Sequence, residues 1–315
     1  MTTTGAAPAQ STASAAALTA GGPEAAGFAP STGAARLVIQ GADRPGIVSA
    51  VSTLLAEYGA NIVSLRQYSS DAVGGQFYQR TVFGLPSLES AREELEADLD
   101  AVLVRELGLS WTLHEATHRK RVAIFASKTD HCLLDLLWRH RRNELPLDVA
   151  MVVSNHPDLA AEVHGFGIPF HHVPVSGDKR AAEQEHLRLL AGNVDLVVLA
   201  RYMQIISDDF LQRVGVPVIN IHHSFLPAFI GAGPYQKAKQ RGVKLIGATA
   251  HYVTKDLDEG PIIEQDVVRV SHNDTVQDLV QKGADIERSV LSRAVRWHCE
   301  DRVLRDGNQT VVFTP

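Results

Sequence analysis

The chain has 315 residues, of which 45% are hydrophobic and 21% charged, and its net charge is −6. This length suits two ordinary domains, each with a core of its own, and the acidic balance speaks against nucleic acid or an anionic membrane as the main partner. No apolar run approaches the ~20 residues that cross a bilayer, and Cys132 and Cys299 stand far apart, outside any metal spacing, as expected of buried thiols in a reducing cytoplasm.

Residues 1–35 are chiefly Ala, Thr, Ser, Gly and Pro, with Glu24 as their one charge. They lack the basic start and apolar middle of a secretory signal, and they hold too little apolar surface to offset ordering, so a disordered tail is predicted. A first domain is predicted over residues 36–114. Residues 36–40 read as a strand, and Asp43-Arg44-Pro45-Gly46 opens a helix, with Asp43 near its cap and Pro45 near its first position. Ile47, Val51, Leu54, Leu55 and Tyr58 recur at helical spacing, and Gly59 closes the helix. Residues 61–68 and 76–83 read as strands joined by a hairpin turn at 71–75. Ser87 caps an acidic helix from Leu88 to about Glu106, and residues 109–113 form a last strand. The order βαββαβ is the ferredoxin-like split arrangement.

The polar, basic residues 115–120 are the predicted linker, and a second domain is predicted over residues 121–315. Strands are predicted at 122–126, 148–153, 169–173, 195–200 and 218–221. The helices between them are predicted at 130–141, 157–164 (ended by Gly165), 179–190 and 208–214. The strands are short apolar runs, as expected where helices cover both faces of a sheet, and the alternation is that of a doubly wound, mostly parallel α/β domain. Two further strands, 245–253 and 262–270, precede a final amphipathic helix from about 275 to 300.

Ligands of open α/β sheets bind outside the carboxyl ends of the strands. Ser154-Asn155-His156, Arg201-Tyr202 and Asn220-Ile221-His222 fall at such ends. Asn220 and His222, two apart, project to one side of an extended chain and His223 to the other, which speaks against His222 and His223 sharing a metal ion. Asp258 follows Asn220 by 38 residues, within Leu257-Asp258-Glu259-Gly260-Pro261. Singly, such residues are turn, packing and solvated-loop residues; the ordered set of amide, imidazole and carboxylate is a candidate site.

The segments Asp43-Arg44-Pro45-Gly46-Ile47-Val48 and Gly59-Ala60-Asn61-Ile62 resemble those of ACT domains, small regulatory modules. The resemblance implies self-association into a homo-oligomer and an amino-acid effector, such as glycine or methionine, at Asp43, Arg44, Pro45, Gly46 and Asn61. A helix N-terminus offers free N–H groups to a carboxylate. The other reading is that Pro45 and Gly46 merely shape a turn in a domain that only oligomerises.

From residue 121 onward, Asn220, His222, the run His222-His223-Ser224-Phe225-Leu226-Pro227, and Asp258 with Gly260-Pro261 resemble the formyltransferase fold of enzymes that use 10-formyltetrahydrofolate. With the ACT-like front, the whole chain after residue 35 resembles the formyltetrahydrofolate deformylases. That resemblance implies Asn220, His222 and Asp258 as the catalytic set, and Arg201, Tyr202, Met203, His223 and His251 as substrate contacts. It implies no metal and no cofactor, the folate being substrate. The implied reaction is hydrolysis to tetrahydrofolate and formate in the cytoplasm, supplying formate for purine synthesis and balancing the one-carbon pool. A transferase to a phosphate-bearing amine needs a phosphate cradle, usually glycine-rich; Ser127-Lys128-Thr129-Asp130-His131 has no glycine and carries an acidic residue, which favours water as acceptor. Transfer to an amine, or a catalytically silent amino-acid sensor, are the competing readings. One departure is Gly233, where deformylases often carry a basic residue.

Overall fold

A computed structural model of the chain describes residues 33–71, 73–175, 177–227 and 233–315. The predicted tail up to residue 32, and residues 228–232, lie outside the described residues. Strand β1 (Ala34–Ala42), helix α1 (Ile47–Glu57), strands β2 (Asn61–Ser69) and β3 (Gln76–Gly84), helix α2 (Leu88–Leu99) and strand β4 (Ser110–Glu115) build the front sheet. Its order is β2-β3-β1-β4, antiparallel throughout. Alternation in β1 turns Leu37 and Ile39 inward, against Val51 and Leu55 of α1 and Leu95 and Leu99 of α2.

Three predicted details change here. Helix α1 starts after Gly46, whose φ of 96° makes it the N-cap, so Asp43 is not the cap. Asp43 instead donates its backbone N–H to the Gly75 carbonyl. The helix after Ser87 becomes a π-helix at Asp100–Glu106, and Ser87 makes no side-chain cap bond. Asn61 and the Asp43–Gly46 turn do not share one site within this sheet. Asn61 pairs with Gly84 at one end of β3, while Ala42, just before Asp43, pairs with Gln76 at the other end, ~25 Å of strand away.

Of the predicted linker, Glu115 closes β4 and Lys120 opens β5 (Lys120–Ala126). The large sheet continues through α3 (His131–Arg141), β6 (Leu147–Ser154), α4 (Ala160–Gly165), β7 (Phe170–His172), α5 (Lys179–Leu190), β8 (Leu196–Leu199), α6 (Asp208–Val214) and β9 (Val218–His222). It ends with α7 (Pro234–Arg241), β10 (Leu245–Tyr252), β11 (Ile262–Arg269) and α8 (Val276–Cys299). The order is β11-β10-β9-β8-β5-β6-β7; β10 is antiparallel to both its neighbours, so it alone runs against the other six strands. Apolar side chains fill both faces: α3 and α8 cover one, α5 and α6 the other. Helix α4 begins later than predicted but ends at Gly165 as expected, and the chain turns at Gly167, with φ 76°. No helix among the described residues is long and apolar enough to cross a membrane.

A C-terminal hairpin, β12 (Val303–Asp306) and β13 (Gln309–Val312), was not predicted. Its Leu304 and Phe313 are buried with Tyr78 of β3, and Val38 of β1 packs on them. Beside it, Asp301 forms ion pairs with Arg36 of β1 at 3.2 Å and with Lys120 at 2.6 Å, all three largely buried. Arg80 of β3 donates two hydrogen bonds to the Glu300 carbonyl, at 2.9 and 3.1 Å. The front sheet is thus fastened to the end of α8 by charge and to the hairpin by apolar packing.

Candidate active site

Strand β9 holds two of the three sequence-predicted catalytic residues, and its antiparallel neighbour β10 helps to orient them. Register places His251 directly opposite Asn220, on the same face of the sheet. The His251 Nδ1–H donates to the Tyr252 carbonyl at 2.9 Å, which leaves Nε2 as an acceptor for the Asn220 amide at 3.3 Å. Burial holds the His251 imidazole below its usual pKa, so this neutral form is the favoured one. One Asn220 N–H is thereby engaged, and the other has no partner among the described residues. His251 acts on Asn220 rather than standing apart as a substrate contact.

Asp258 arrives from the loop between β10 and β11 in a left-handed conformation, φ 59°. Its Oδ1 lies 3.2 Å from His222 Nδ1 and 3.8 Å from His251 Nε2. The hydrogen bond from His222 holds the Asp258 carboxyl below the ordinary carboxylate range, against the opposing pull of burial. His222 is 6% exposed, and its Nε2 has no partner among the described residues. Asn220, His222 and Asp258 all line one cavity of about 420 Å³, together with His223, His251 and residues 201–206. A buried nitrogen without a partner, in the wall of a cavity, is a group awaiting a ligand.

His223 does not point away from His222. Strand β9 ends at His222 and the chain turns, so the alternation of an extended strand no longer applies. The two rings stack, with centroids 5.2 Å apart and planes 28° apart. Burial, reinforced by the nearby Arg201 charge, pushes the His223 imidazole down to about 4. It therefore stands neutral beside His222 at neutral pH.

Of the residues after β8, Arg201 has φ 62° and turns inward, its Nε 3.5 Å from Glu287 Oε2. The Tyr202 ring packs edge-on against Phe125, at 5.3 Å between centroids, so its side chain serves the core. Met203 and Ile205 are exposed at the cavity, and so is Leu257 from the Asp258 loop, giving it an apolar lip. The Met203 N–H donates to Ser127 Oγ, and that hydroxyl donates to Asn155 Oδ1. Ser127 thus clamps the carboxyl ends of β5, β6 and β8, and it is not presented to a phosphate. Gly233, with φ 67°, is the N-cap of α7, and a Cβ there would meet nothing. It is a turn residue whose backbone a basic side chain would strain.

Glu287 was not foreseen. It is 2% exposed and accepts from His131 Nε2 at 2.8 Å and from the Tyr235 hydroxyl at 2.7 Å. Burial alone would raise its carboxyl, but His131, Arg201 and Tyr235 bring it below its ordinary value. A signal was present in the sequence: Gly283, Glu287, Val290, Leu291 and Ala294 form the buried stripe of α8, and a carboxylate within such a stripe must have partners. His131, Cys132 and Glu287 offer ligand atoms within 4.8 Å of one another, closer company than Cys132 was expected to keep. Burial raises the Cys132 thiol well above its usual pKa, and Arg201 already supplies a positive charge, so the cluster reads as an ion-pair network rather than a cation site.

The sequence matches the formyl transferase family over residues 120–295 and the ACT domain family over residues 35–100. It is 63% identical over 279 residues to the formyltetrahydrofolate deformylase of Mycobacterium tuberculosis (strain ATCC 25618 / H37Rv), covering 88% of this chain and 90% of the relative. It is 50% identical over 280 residues to that of Bacillus subtilis (strain 168), covering 88% and 93%. The crystal structure of a formyltetrahydrofolate deformylase from Pseudomonas syringae pv. tomato str. DC3000 aligns with a TM-score of 0.85 at 46% identity, over 92% of this chain and 97% of that one. The chain belongs to the formyltetrahydrofolate deformylases.

Proposed function

We propose that the chain hydrolyses 10-formyltetrahydrofolate to tetrahydrofolate and formate at Asn220, His222 and Asp258. The observation that carries this reading is the partnerless Nε2 of His222, held in the cavity wall beside the free Asn220 N–H by the contact of Nδ1 with Asp258. Water adds to the formyl carbon and a tetrahedral oxyanion develops. The Asn220 N–H and a protonated His222 Nε2 donate to that oxygen, and such preorganised donors stabilise charge where it forms. The imidazolium then lies 3.2 Å from the Asp258 carboxylate. His222 passes its Nε2 proton to the departing N10 as the C–N bond breaks. The proton released by the attacking water replaces the one that His222 gives to N10, so the cycle closes, and the neutral His223 ring, which lines the same cavity, can accept a hydrogen bond from that water. The apolar lip of Met203, Ile205 and Leu257 suits the flat pterin.

In the same reading no cofactor takes part, and the enzyme is cytoplasmic. Its front sheet binds an amino-acid effector such as glycine or methionine and associates with a second copy. Support for the association comes from β2, an edge strand with Val63 and Tyr68 exposed.

The test is formate release from 10-formyltetrahydrofolate with no amine acceptor present. Asn tolerates left-handed backbone, so Asp258→Asn removes the charge without straining the loop. It is expected to slow release by about 10²–10⁴-fold, the scale of acid–base contributions. A folded Asp258→Asn variant with undiminished release would refute the mechanism, and product formed only when an amine is added would turn the reading towards transfer.

A further inference from the structure

The hairpin that packs on the front sheet also reaches the catalytic loop. Asn308 Nδ2 donates to the Glu259 carbonyl at 3.0 Å, one residue after Asp258. The Thr310 hydroxyl donates to the Ile262 carbonyl at 2.5 Å, at the far end of the same loop. The Arg305 guanidinium lies over the Tyr252 ring, 5.3 Å from its centroid, where the loop begins. Three contacts from six successive hairpin positions therefore bracket the Asp258 loop at its start, middle and end.

The loop needs such bracing. Asp258 has φ 59°, a left-handed backbone that Asp tolerates better than most residues but that the surroundings must still hold in place. Two residues on, Gly260 lies so close to the Tyr252 carbonyl that a Cβ would clash with it. The backbone between these two points is exposed at Glu259, and the Asn308 amide is its hydrogen-bond partner from outside the loop.

The other face of the hairpin belongs to the front sheet. Leu304 and Phe313 are buried against Tyr78, and burial together with the nearby Asp306 carboxylate pushes the Tyr78 hydroxyl up to about 12. Val38, in the same cluster, lies on the strand that leads into Asp43. A two-stranded ribbon of four residues a side has little stability of its own. It takes its position from the sheet on one face and transmits it to the loop on the other.

We propose that Asn308 is a positioning residue for deformylation: the C-terminal hairpin sets the Asp258 loop through it, and the front sheet sets the hairpin. This rests on Asp258 being catalytic, as read above. A shift of the front sheet against the large one then alters the separation between Asp258 and His222 without any change in the residues that bind folate. That supplies a route by which a ligand of the front sheet alters kcat.

Asn308 follows Gly307, whose φ is 57°, in the two-residue hairpin turn. Asp suits that turn as well as Asn does but has no amide donor. Asn308→Asp is expected to lower kcat about three- to tenfold, the scale of one net hydrogen bond, with KM for 10-formyltetrahydrofolate moved by less than about twofold. Tyr78→Ala, which takes the ring out of the cluster with Leu304 and Phe313, is expected to lower kcat in the same direction. The decisive arm is the double variant with Asp258→Asn. Once the carboxylate is gone its placement is immaterial, so Asn308→Asp is expected to add little further loss. If Asn308→Asp lowers only the thermal midpoint and leaves kcat as it was, the hairpin is a brace and the inference fails. It fails equally if its effect on kcat is undiminished in the Asp258→Asn background. A normal rate in Asp258→Asn alone strikes the mechanism instead, which separates the two failures.

Discussion

At the scale of single residues, the site depends on how each polar atom is forced into one role. His251 decides which way the Asn220 amide faces, because its own Nδ1–H is engaged by the Tyr252 carbonyl. Asn220→Ala is therefore expected to lower kcat about 10²–10³-fold, as loss of an oxyanion donor does elsewhere. His251→Ala, which leaves the amide free to turn over, is expected to lower it by a smaller factor; steady-state kinetics of both variants would show whether the order holds, and the reverse order would mean that His251 does more than orient. The grouping of Asn220, His222 and Asp258 came from the resemblance, while spacing alone put Asn220 and His222 on one side of β9; the three line one cavity. The direction of His223 was not legible, because it depends on where β9 stops, and one residue of difference at a strand end reverses a side chain. Nor was the setting of Tyr202, whose ring belongs to the core beside Phe125.

At the scale of elements, α5 and α6 occupy the predicted ranges, and each is opened by a side-chain cap, Asp178 and Ser207. The hairpin and α7 were not legible in the sequence. The two hairpin strands have four residues each, too few to show an alternation, and α7 buries only Pro234 and Ala238. The turn at Asp301, between α8 and the hairpin, joins these elements to the front sheet through Arg36 and Lys120. Asp301 has φ 54°, so Asn suits its backbone while lacking the charge. Asp301→Asn leaves two buried cations without their counter-ion, and a loss of about 3–5 kcal/mol in unfolding free energy is expected. Chemical denaturation measures this; a loss below about 1 kcal/mol, the scale of a surface pair, would show that the cluster is solvated.

At the scale of the whole molecule, acid sensitivity follows from imidazoles held neutral inside it. His186 lies among Phe125, Tyr202 and Phe210, and burial pushes it down to about 4. His298, partly buried at the end of α8, accepts from the Tyr252 hydroxyl and is pushed down to about 3 by desolvation. An unfolded histidine titrates at about 6.5, so below that pH the unfolded chain takes up protons that the folded one refuses. Their contribution to stability is full above about 6.5 and is lost as pH falls towards 4 and 3. Calorimetry is expected to show a thermal midpoint that declines over this range, and His186→Leu is expected to flatten the decline. A variant with the wild-type slope would remove His186 from the account. None of this was legible from composition, since 14 histidines look alike until their burial is known.

The apolar contact between the hairpin and the front sheet also has a temporal side. Val38 and Tyr78 leave the ribosome about 230–270 residues before Leu304 and Phe313, which at ordinary synthesis rates is on the order of ten to fifty seconds. The front sheet can close its own core in that interval, yet one greasy face stays bare until the last strands emerge. During translation the nascent chain is thus a folded module with an uncovered patch, the kind of intermediate that chaperones shelter and that associates with its neighbours when they are scarce.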